Sequence, residues 1–311
     1  MAKVLITGGA GFIGSNLTMR LLSEGNEVTV VDDLSMGLQD NLPQQPNLTF
    51  IQQSITNSEF MSELLIDQNF DFIYLLAAVA SVADSVERPI ETHEINQEAN
   101  LRIFETIRKH HLHPKRVIFS SSAAVYGDEP SLPKTEGSPI APLTPYAIDK
   151  FATERFLMAY ANLYQINASA VRFFNVFGPH QNPQSPYSGV LSILTQTFKT
   201  EGSFCVFGDG QQSRDFIYIT DVLDALQLLA KNDLAKGQVF NVATGQTTTL
   251  LDVIKDYEEI TNKRITVTYA NMRQGDIRHS WANIDKLSTL GFEPHINVYE
   301  GLRRYWQYIN R

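Results

Sequence analysis

The chain has 311 residues, of which 43% are hydrophobic and 19% charged, a composition that buries a large core and excludes disorder as a description of the whole. Lys and Arg total 25 against 34 Asp and Glu, a net charge of −9, and without a basic run this argues against nucleic acid or an anionic membrane as partner. The single cysteine, Cys205, excludes an internal disulfide, and no Cys/His set has zinc spacing, so no metal is expected. The N-terminal MAKVLITGG lacks the apolar region of a signal peptide, and no window approaches 18 uninterrupted apolar residues. A cytoplasmic protein is the expectation.

Lys3-Val4-Leu5-Ile6-Thr7 is a short apolar run ending in glycines and reads as a buried strand. From Phe12 to Ser23, apolar residues fall at helical spacing (Phe12, Ile13, Leu17, Leu21, Leu22), with Gly25 as the stop. Strands are expected at 27–31, 48–52, 72–76 and 117–120, with helical patterns between most of them, such as 96–110. Strand–helix alternation of this kind predicts an α/β fold, a doubly wound parallel sheet with helices on both faces.

After about residue 175 the character changes. Pro179, Pro183 and Pro186 mark an irregular loop. Shorter strands are expected at 204–207, 215–219, 239–242 and 265–269, and helices at 222–231, 251–261 and 298–308. Residues 1–175 are therefore read as one domain and 176–311 as a smaller C-terminal α/β lobe, with strand 239–242 free to return to the first sheet.

Gly8, Gly11 and Gly14 form G-x-x-G-x-x-G between a strand and a helix. Glycines there permit a tight turn and close approach to a pyrophosphate, while the helix N-terminus supplies N–H donors. Asp32 closes the next strand 18 positions after Gly14, where an acidic residue accepts ribose hydroxyls. These features predict a Rossmann-type dinucleotide site. No Lys or Arg occurs between Arg20 and Arg88 to meet a 2′-phosphate, so the expected cofactor is NAD, not NADP.

Ser120-Ser121-Ser122 follows a buried strand, and Tyr146 and Lys150 stand one helical turn apart behind Pro145. A free tyrosine has a pKa of about 10 and is a poor base at neutral pH. A neighbouring ammonium favours its phenolate, and a serine hydroxyl can bridge substrate and tyrosine. Such a set can take a hydroxyl proton while hydride leaves the same carbon.

Six motifs in order now resemble the extended short-chain dehydrogenase/reductases: 7–14 (TGGAGFIG), 120–127 (SSSAAVYG), Tyr146 with Lys150, 172–175 (RFFN), 208–210 (GDG) with Arg214-Asp215, and 273–276 (RQGD). Within that family the chain is most similar to nucleotide-sugar 4-epimerases, especially those acting on UDP-N-acetylglucosamine. The resemblance implies Ser122, Tyr146 and Lys150 as the catalytic set. It implies cofactor contacts from Gly8, Gly11, Phe12, Ile13, Gly14, Asp32, Asp33, Ser35, Gly37, Ser54, Ile55, Leu76, Ala77, Ala78, Ala80, Asn96, Ser120, Phe173 and Phe174, besides Tyr146 and Lys150. Ser54, Leu75, Val79 and Ala99-Asn100 depart from the family pattern at this side of the site. The equivalents of helices 96–110 and 147–164 pair in family homodimers, so a homodimer is expected.

Arg214 and Arg273 are candidates to hold a diphosphate, because guanidinium groups match phosphate oxygens bidentately. The resemblance adds Asp276 at the nucleotide ribose, Asn175 and Val190 near the phosphates, and Phe207 against uracil. It adds Ser81, Ser122, Tyr146, Tyr187 and Ser280 toward the sugar. Ser280 is small where a tyrosine would fill the space of an N-acetyl group. The leading function is therefore NAD-dependent inversion at C4 of a UDP-hexose, the acetamido sugars first and UDP-glucose/UDP-galactose second. A UDP-glucuronate epimerase or decarboxylase and a non-catalytic NAD sensor are the alternatives. The resembled 4,6-dehydratases place an Asp-Glu acid/base pair where this chain has Ser122-Ala123, which argues against dehydration. His110, His111 and His113 suit a helix C-terminus rather than a metal, Cys205 reads as strand packing, and Tyr305 and Trp306 as core or interface.

Overall fold

The computed structural model describes residues 1–181, 189–272 and 277–310. The strands are β1 Lys3–Thr7, β2 Glu27–Asp32, β3 Leu48–Gln52, β4 Phe72–Leu75, β5 Arg116–Ser122, β6 Ala168–Phe173, β7 Asn175–Phe177, β8 Ser203–Phe207, β9 Ser213–Arg214, β10 Phe216–Tyr218, β11 Gln238–Val242, β12 Thr248–Thr249, β13 Thr266–Ala270 and β14 His279–Ser280. The helices are α1 Phe12–Ser23, α2 Ser58–Gln68, α3 Val82–Glu87, α4 Pro89–His93, α5 Ala99–Lys109, α6 Pro145–Tyr164, α7 Val190–Thr200, α8 Ile219–Lys231, α9 Leu250–Thr261, α10 Asp285–Ser288 and α11 Val298–Ile309.

The chain divides into two compact units. The first comprises 1–129, 139–173 and 223–240, and the second 130–138, 174–222 and 241–311. The main sheet has the order β11-β6-β5-β4-β1-β2-β3. The neighbours from β6 through β5, β4, β1 and β2 to β3 pair in parallel. This is the doubly wound α/β architecture expected from the alternation. Its strands are rich in residues with no solvent contact, among them Leu5, Val31, Leu75, Val117, Phe119 and Ala170, because helices cover both faces of a parallel sheet. The strand order reverses between β1 and β4, and ligands in such sheets bind where it reverses.

Besides β6, for which no strand was expected, two elements differ from the sequence expectation. The helix expected over 96–110 begins as a π-helical turn, Glu94–Glu98, and becomes α-helical only at Ala99. Of the strand expected over 215–219 only 216–218 is extended, as β10, while Ile219 opens α8; the extended run begins earlier, at β9, and is broken at Asp215. Asp215 interrupts it because its buried carboxylate accepts from Thr244 N, Thr244 Oγ1 and Gly245 N at 2.7–2.9 Å. In the second unit β7 pairs with β10, β8 with β13, and β9 with both β12 and β14. Its core is aromatic, with Phe198 stacked on Tyr257 and Phe177 edge-on to Tyr218. Among the described residues no helix is long and apolar enough to cross a membrane.

Candidate active site

β1 ends at Thr7, and the chain turns through Gly8 at φ +70°, where side-chain-bearing residues are strained. A Cβ on Gly8 would stand 2.7 Å from the Ala77 backbone, and one on Gly14 would stand 2.2 Å from the Gly8 carbonyl oxygen. Turn, α1 and the segment after β4 approach this closely only because both positions are glycine. Gly11 is the N-cap of α1, with no side chain to occupy the first N–H groups, and an anion suits such donors. Phe12 and Ile13 open the helix, half-buried.

Asp32 is buried at the end of β2. Its Oδ2 accepts from Ala10 N at 2.9 Å and its Oδ1 from Leu34 N at 2.8 Å. Burial raises its pKa, against the pull of these backbone donors. Each oxygen keeps a further lone pair, suited to a ribose hydroxyl. Asp33 Oδ1 accepts from Ser35 N and Oγ at 2.9 and 2.6 Å, and Gly37 lies against Ala10 and Asp32. Ile55 is buried, and Ser54 Oγ pairs with Thr56 Oγ1 at 2.9 Å.

After β4, Leu76 N and Ala77 N donate to Thr7 O and Thr7 Oγ1 at 3.2 and 3.3 Å. Ala78 and Ala80 flank Val79, whose backbone is held from both sides by the Asn96 amide: Val79 N donates to Oδ1 at 2.9 Å, and Nδ2 donates to Val79 O at 3.2 Å. The contact is to backbone, which explains how the turn stands with valine at position 79. Ser81 is buried, and its Oγ caps α3 by accepting from Asp84 N at 2.9 Å. Phe173 is half-buried at the end of β6, and Phe174 is buried next to it in sequence.

The catalytic candidates meet where α6 crosses the end of β5. Thr144 caps α6 and Pro145 fills its first position, a start signal that fixes Tyr146 and Lys150 one turn apart. Tyr146 is half-buried, near enough to Ser122 for that hydroxyl to act on its phenol, and Ser122 Oγ accepts from Ala124 N at 3.2 Å. Burial raises the Tyr146 phenol, and the nearby Ser122 hydroxyl opposes that rise. Lys150 is buried, and its Nζ donates to Ser120 O at 2.8 Å and Ser120 Oγ at 3.4 Å. Ser120 Oγ donates in turn to Leu75 O at 3.0 Å, tying β5 to β4. Burial lowers the Lys150 ammonium to about 7, with the carboxylate of Asp149 pulling upward. A hydroxyl, a phenol and an ammonium with a neutral-range pKa, gathered in one place, can pass a proton to and from a substrate hydroxyl.

In the second unit Asn175, Val190, Phe207 and Arg214 line one cavity of about 520 Å³, within the range of small-molecule sites. The family resemblance that placed Asn175, Val190 and Phe207, and the phosphate chemistry that singled out Arg214, did not reach Ile193, Thr197, Phe204, Gln212, Phe216 and Leu250, which line it with them. Arg214 Nη1 donates to Ser213 O at 2.9 Å, and Asn175 Nδ2 donates to Asp215 O at 2.9 Å. Ser280 is the β-partner of Arg214 in the β14–β9 pairing. Cys205 corrects the sequence reading: its side chain is exposed and lines this cavity rather than packing inside the strand. Tyr187, Arg273 and Asp276 lie outside the described residues.

Three further groups escaped the sequence reading. Arg172 and Glu154 form a buried bidentate pair at 2.6 and 3.0 Å, joined by Tyr126 Oη at 2.9 Å. The Asp215 carboxylate anchors two backbone segments of the second unit, at Thr244-Gly245 and at Ala282. His93 Nδ1 lies 2.8 Å from Asp149 Oδ1. A single charged residue in a strand or helix gives no pattern by which its distant partner can be found.

Comparison with known proteins carries the same direction. Residues 4–243 match the NAD dependent epimerase/dehydratase family. A putative UDP-glucose 4-epimerase of Methanocaldococcus jannaschii is 34% identical over 97% of this chain and 96% of its own length. The crystal structure of a Thermotoga maritima UDP-glucose 4-epimerase with UDP-glucose superposes with a TM-score of 0.93 at 35% identity, covering 99% of this chain and 98% of that one. A UDP-N-acetylglucosamine 4-epimerase from Methanobrevibacter ruminantium M1, in complex with UDP-N-acetylmuramic acid, gives 0.93 at 36% identity with the same coverage. The chain belongs to the NAD dependent epimerase/dehydratase family.

Proposed function

We propose that the protein inverts C4 of a UDP-hexose, with UDP-N-acetylglucosamine and UDP-N-acetylgalactosamine as preferred substrates and UDP-glucose and UDP-galactose as poorer ones. The observation that carries this reading is the grouping of Ser122, Tyr146 and Lys150, with the ammonium held at 2.8 Å by Ser120 O. NAD is the cofactor of this family, and the residues of the first unit fit it. The side-chain-free turn at Gly8 and Gly14 suits a pyrophosphate, and the buried Asp32 carboxylate suits unphosphorylated ribose.

NAD, when bound, supplies the acceptor for the hydrogen at C4 and later returns it. Tyr146 takes the O4 proton as that hydrogen leaves, and Ser122 hydrogen-bonds the same oxygen and orients it. Lys150 lowers the cost of the phenolate by placing an ammonium nearby. The 4-keto sugar turns over, and Tyr146 returns the proton to O4 after hydrogen has been added to the opposite face. The substrate is neither oxidised nor reduced overall.

The four cavity residues Asn175, Val190, Phe207 and Arg214 support a uridine diphosphate subsite in the second unit. Arg214 would meet phosphate and Phe207 the base, with Ser280 leaving space beside C2 of the sugar. Tyr187, Arg273 and Asp276 complete the proposed substrate set. A 4,6-dehydratase is disfavoured because Ala123, at the start of a 3₁₀ turn, offers no acid or base. The exposed Ile148, Phe156 and Leu163 of α6 support a homodimer joined through α5 and α6, and a cytoplasmic location is part of the same reading. Incubating the purified protein with UDP-N-acetylglucosamine and separating the products chromatographically should yield UDP-N-acetylgalactosamine. Unchanged sugar from each UDP-hexose tried would contradict the reading.

A further inference from the structure

The cavity of the second unit is lined by more polar groups than the proposed substrate contacts use. Gln212 and Arg214 both line it, while Ser213 between them is buried and does not. Residues two apart in an extended chain leave on the same side, so the Gln212 amide and the Arg214 guanidinium meet the cavity from one stretch of backbone. Gln212 O accepts from Leu250 N at 3.1 Å, which holds that stretch against the start of α9.

A glutamine amide carries an acceptor and two donors, and a free one turns over to present either. Here Gln212 Nε2 donates to Phe207 O at 3.1 Å. A carbonyl oxygen only accepts, so this bond assigns the nitrogen to that end, and turning the amide over breaks it. Gln212 Oε1 takes no hydrogen bond among the described residues. Phe207, which fixes the amide, lines the same cavity and is the residue proposed to meet the base.

The other polar side chains of the cavity are committed differently. Arg214 carries donors alone, and its Nη1 donates to Ser213 O and Arg278 O at 2.9 and 3.3 Å. Asn175 Nδ2 donates to Asp215 O at 2.9 Å, which ties that amide to the residue after Arg214. Thr197 Oγ1 donates to Ile193 O at 2.9 Å within α7. Of the two amides, Gln212 is the one fastened to Phe207.

We infer that Gln212 is a specificity-determining residue for the nucleotide: its Oε1 accepts the N3–H of uracil, in the orientation that the Phe207 carbonyl imposes. The pairing edge of uracil presents one donor, N3–H, between two carbonyl acceptors, and a fixed acceptor matches it. Cytosine has a lone pair at N3 instead, and two opposed acceptors form no bond and leave both groups unpaired. Thymine keeps N3–H, so the contact separates uridine from cytidine and treats thymidine as uridine. This role rests on the uridine diphosphate subsite proposed above.

Binding of UDP, CDP and N3-methyluridine 5′-diphosphate to the NAD-holding protein is measured by calorimetry in wild type and in Gln212→Met, which keeps the length of the side chain and removes its acceptor. Wild type should prefer UDP to both analogues by at least about tenfold, and both preferences should shrink about three- to tenfold in Gln212→Met, the size of effect one neutral hydrogen bond gives. In turnover of the UDP-sugar the loss should appear in KM. Gln212→Leu carries the same comparison should Gln212→Met not fold. A merely structural role would weaken all three ligands alike, and preferences equal in wild type and variant would overturn the inference while leaving the proposed C4 inversion in place. Preferences that shrink as expected, in a protein that turns over no UDP-hexose, would keep the base contact and remove the proposed reaction. Failure of wild type to bind UDP would overturn both.

Discussion

Lys150 Nζ reaches across from α6 to donate to the Ser120 carbonyl oxygen at 2.8 Å, at the point where β5 approaches its end. The contact gives the ammonium a fixed place but a costly one, since the lysine is only 2% exposed. Its pKa falls to about 7 in the folded protein, below the ordinary 10.4 it keeps when unfolded.

The sign of the resulting pH dependence follows directly. Below about pH 7 both states bind the proton, and the folded state bears the full cost of burying it. Between about 7 and 10 the unfolded chain holds a proton that the folded chain has lost, so this residue's contribution to stability rises with pH. Lys150→Met should therefore stabilise the cofactor-free protein most at pH 6, by up to about 4 kcal/mol, with the gain shrinking toward pH 10. Denaturant unfolding of both proteins across that range checks it. A gain that grows with pH would be inconsistent with the assignment.

Tyr146→Phe removes a hydroxyl that Ser122 influences while keeping the ring. Loss of the proton acceptor should lower kcat by about 10²–10⁴-fold with KM within a few-fold of wild type. Steady-state kinetics on UDP-N-acetylglucosamine give both numbers. A near-normal kcat would take Tyr146 out of the mechanism.

Glu154→Gln leaves the Arg172 guanidinium, 4% exposed on its side chain, without its carboxylate. Breaking one side of a buried pair costs about 3–5 kcal/mol. The loss should appear in unfolding midpoints, because Glu154 serves the contact of α6 with β6. An equally stable variant would show that Arg172 finds full compensation from Tyr126.

Ser280→Tyr tests the acetamido preference. Ser280 is the β-partner of Arg214, itself a cavity residue, so a phenol at 280 is expected to reduce space near the sugar, and overpacking costs about 1–3 kcal/mol. Turnover of UDP-N-acetylglucosamine should fall about tenfold or more relative to UDP-glucose. Equal losses on both would remove Ser280 from the pocket wall.

Much of the first unit was legible in the sequence because parallel strands buried on both faces are short unbroken apolar runs. β1, α1 and β3 fall at the expected residues. The glycine turn was legible because Gly8 and Gly14 answer steric demands that no other residue meets. β6 was missed: its run 168–173 contains Ser169 and Arg172, and only their partners Arg116 and Glu154 make those residues compatible with a core. The π-helical turn at 94–98 has no periodicity of its own, and it is bounded by tertiary contacts, His93 to Asp149 and Thr153 Oγ1 to Asn96 O. The exposure of Cys205 is likewise a matter of which face β8 turns to the cavity, and a one-residue difference in register reverses that.

The most direct measurement follows the hydrogen itself. UDP-N-acetylglucosamine carrying deuterium at C4 is incubated with the protein and its NAD in ordinary water, and the product is examined by NMR and mass spectrometry. The account predicts UDP-N-acetylgalactosamine that retains deuterium at C4, since the atom that leaves is the one returned. Deuterium lost to solvent during inversion, or no inversion by protein that holds NAD, would contradict it.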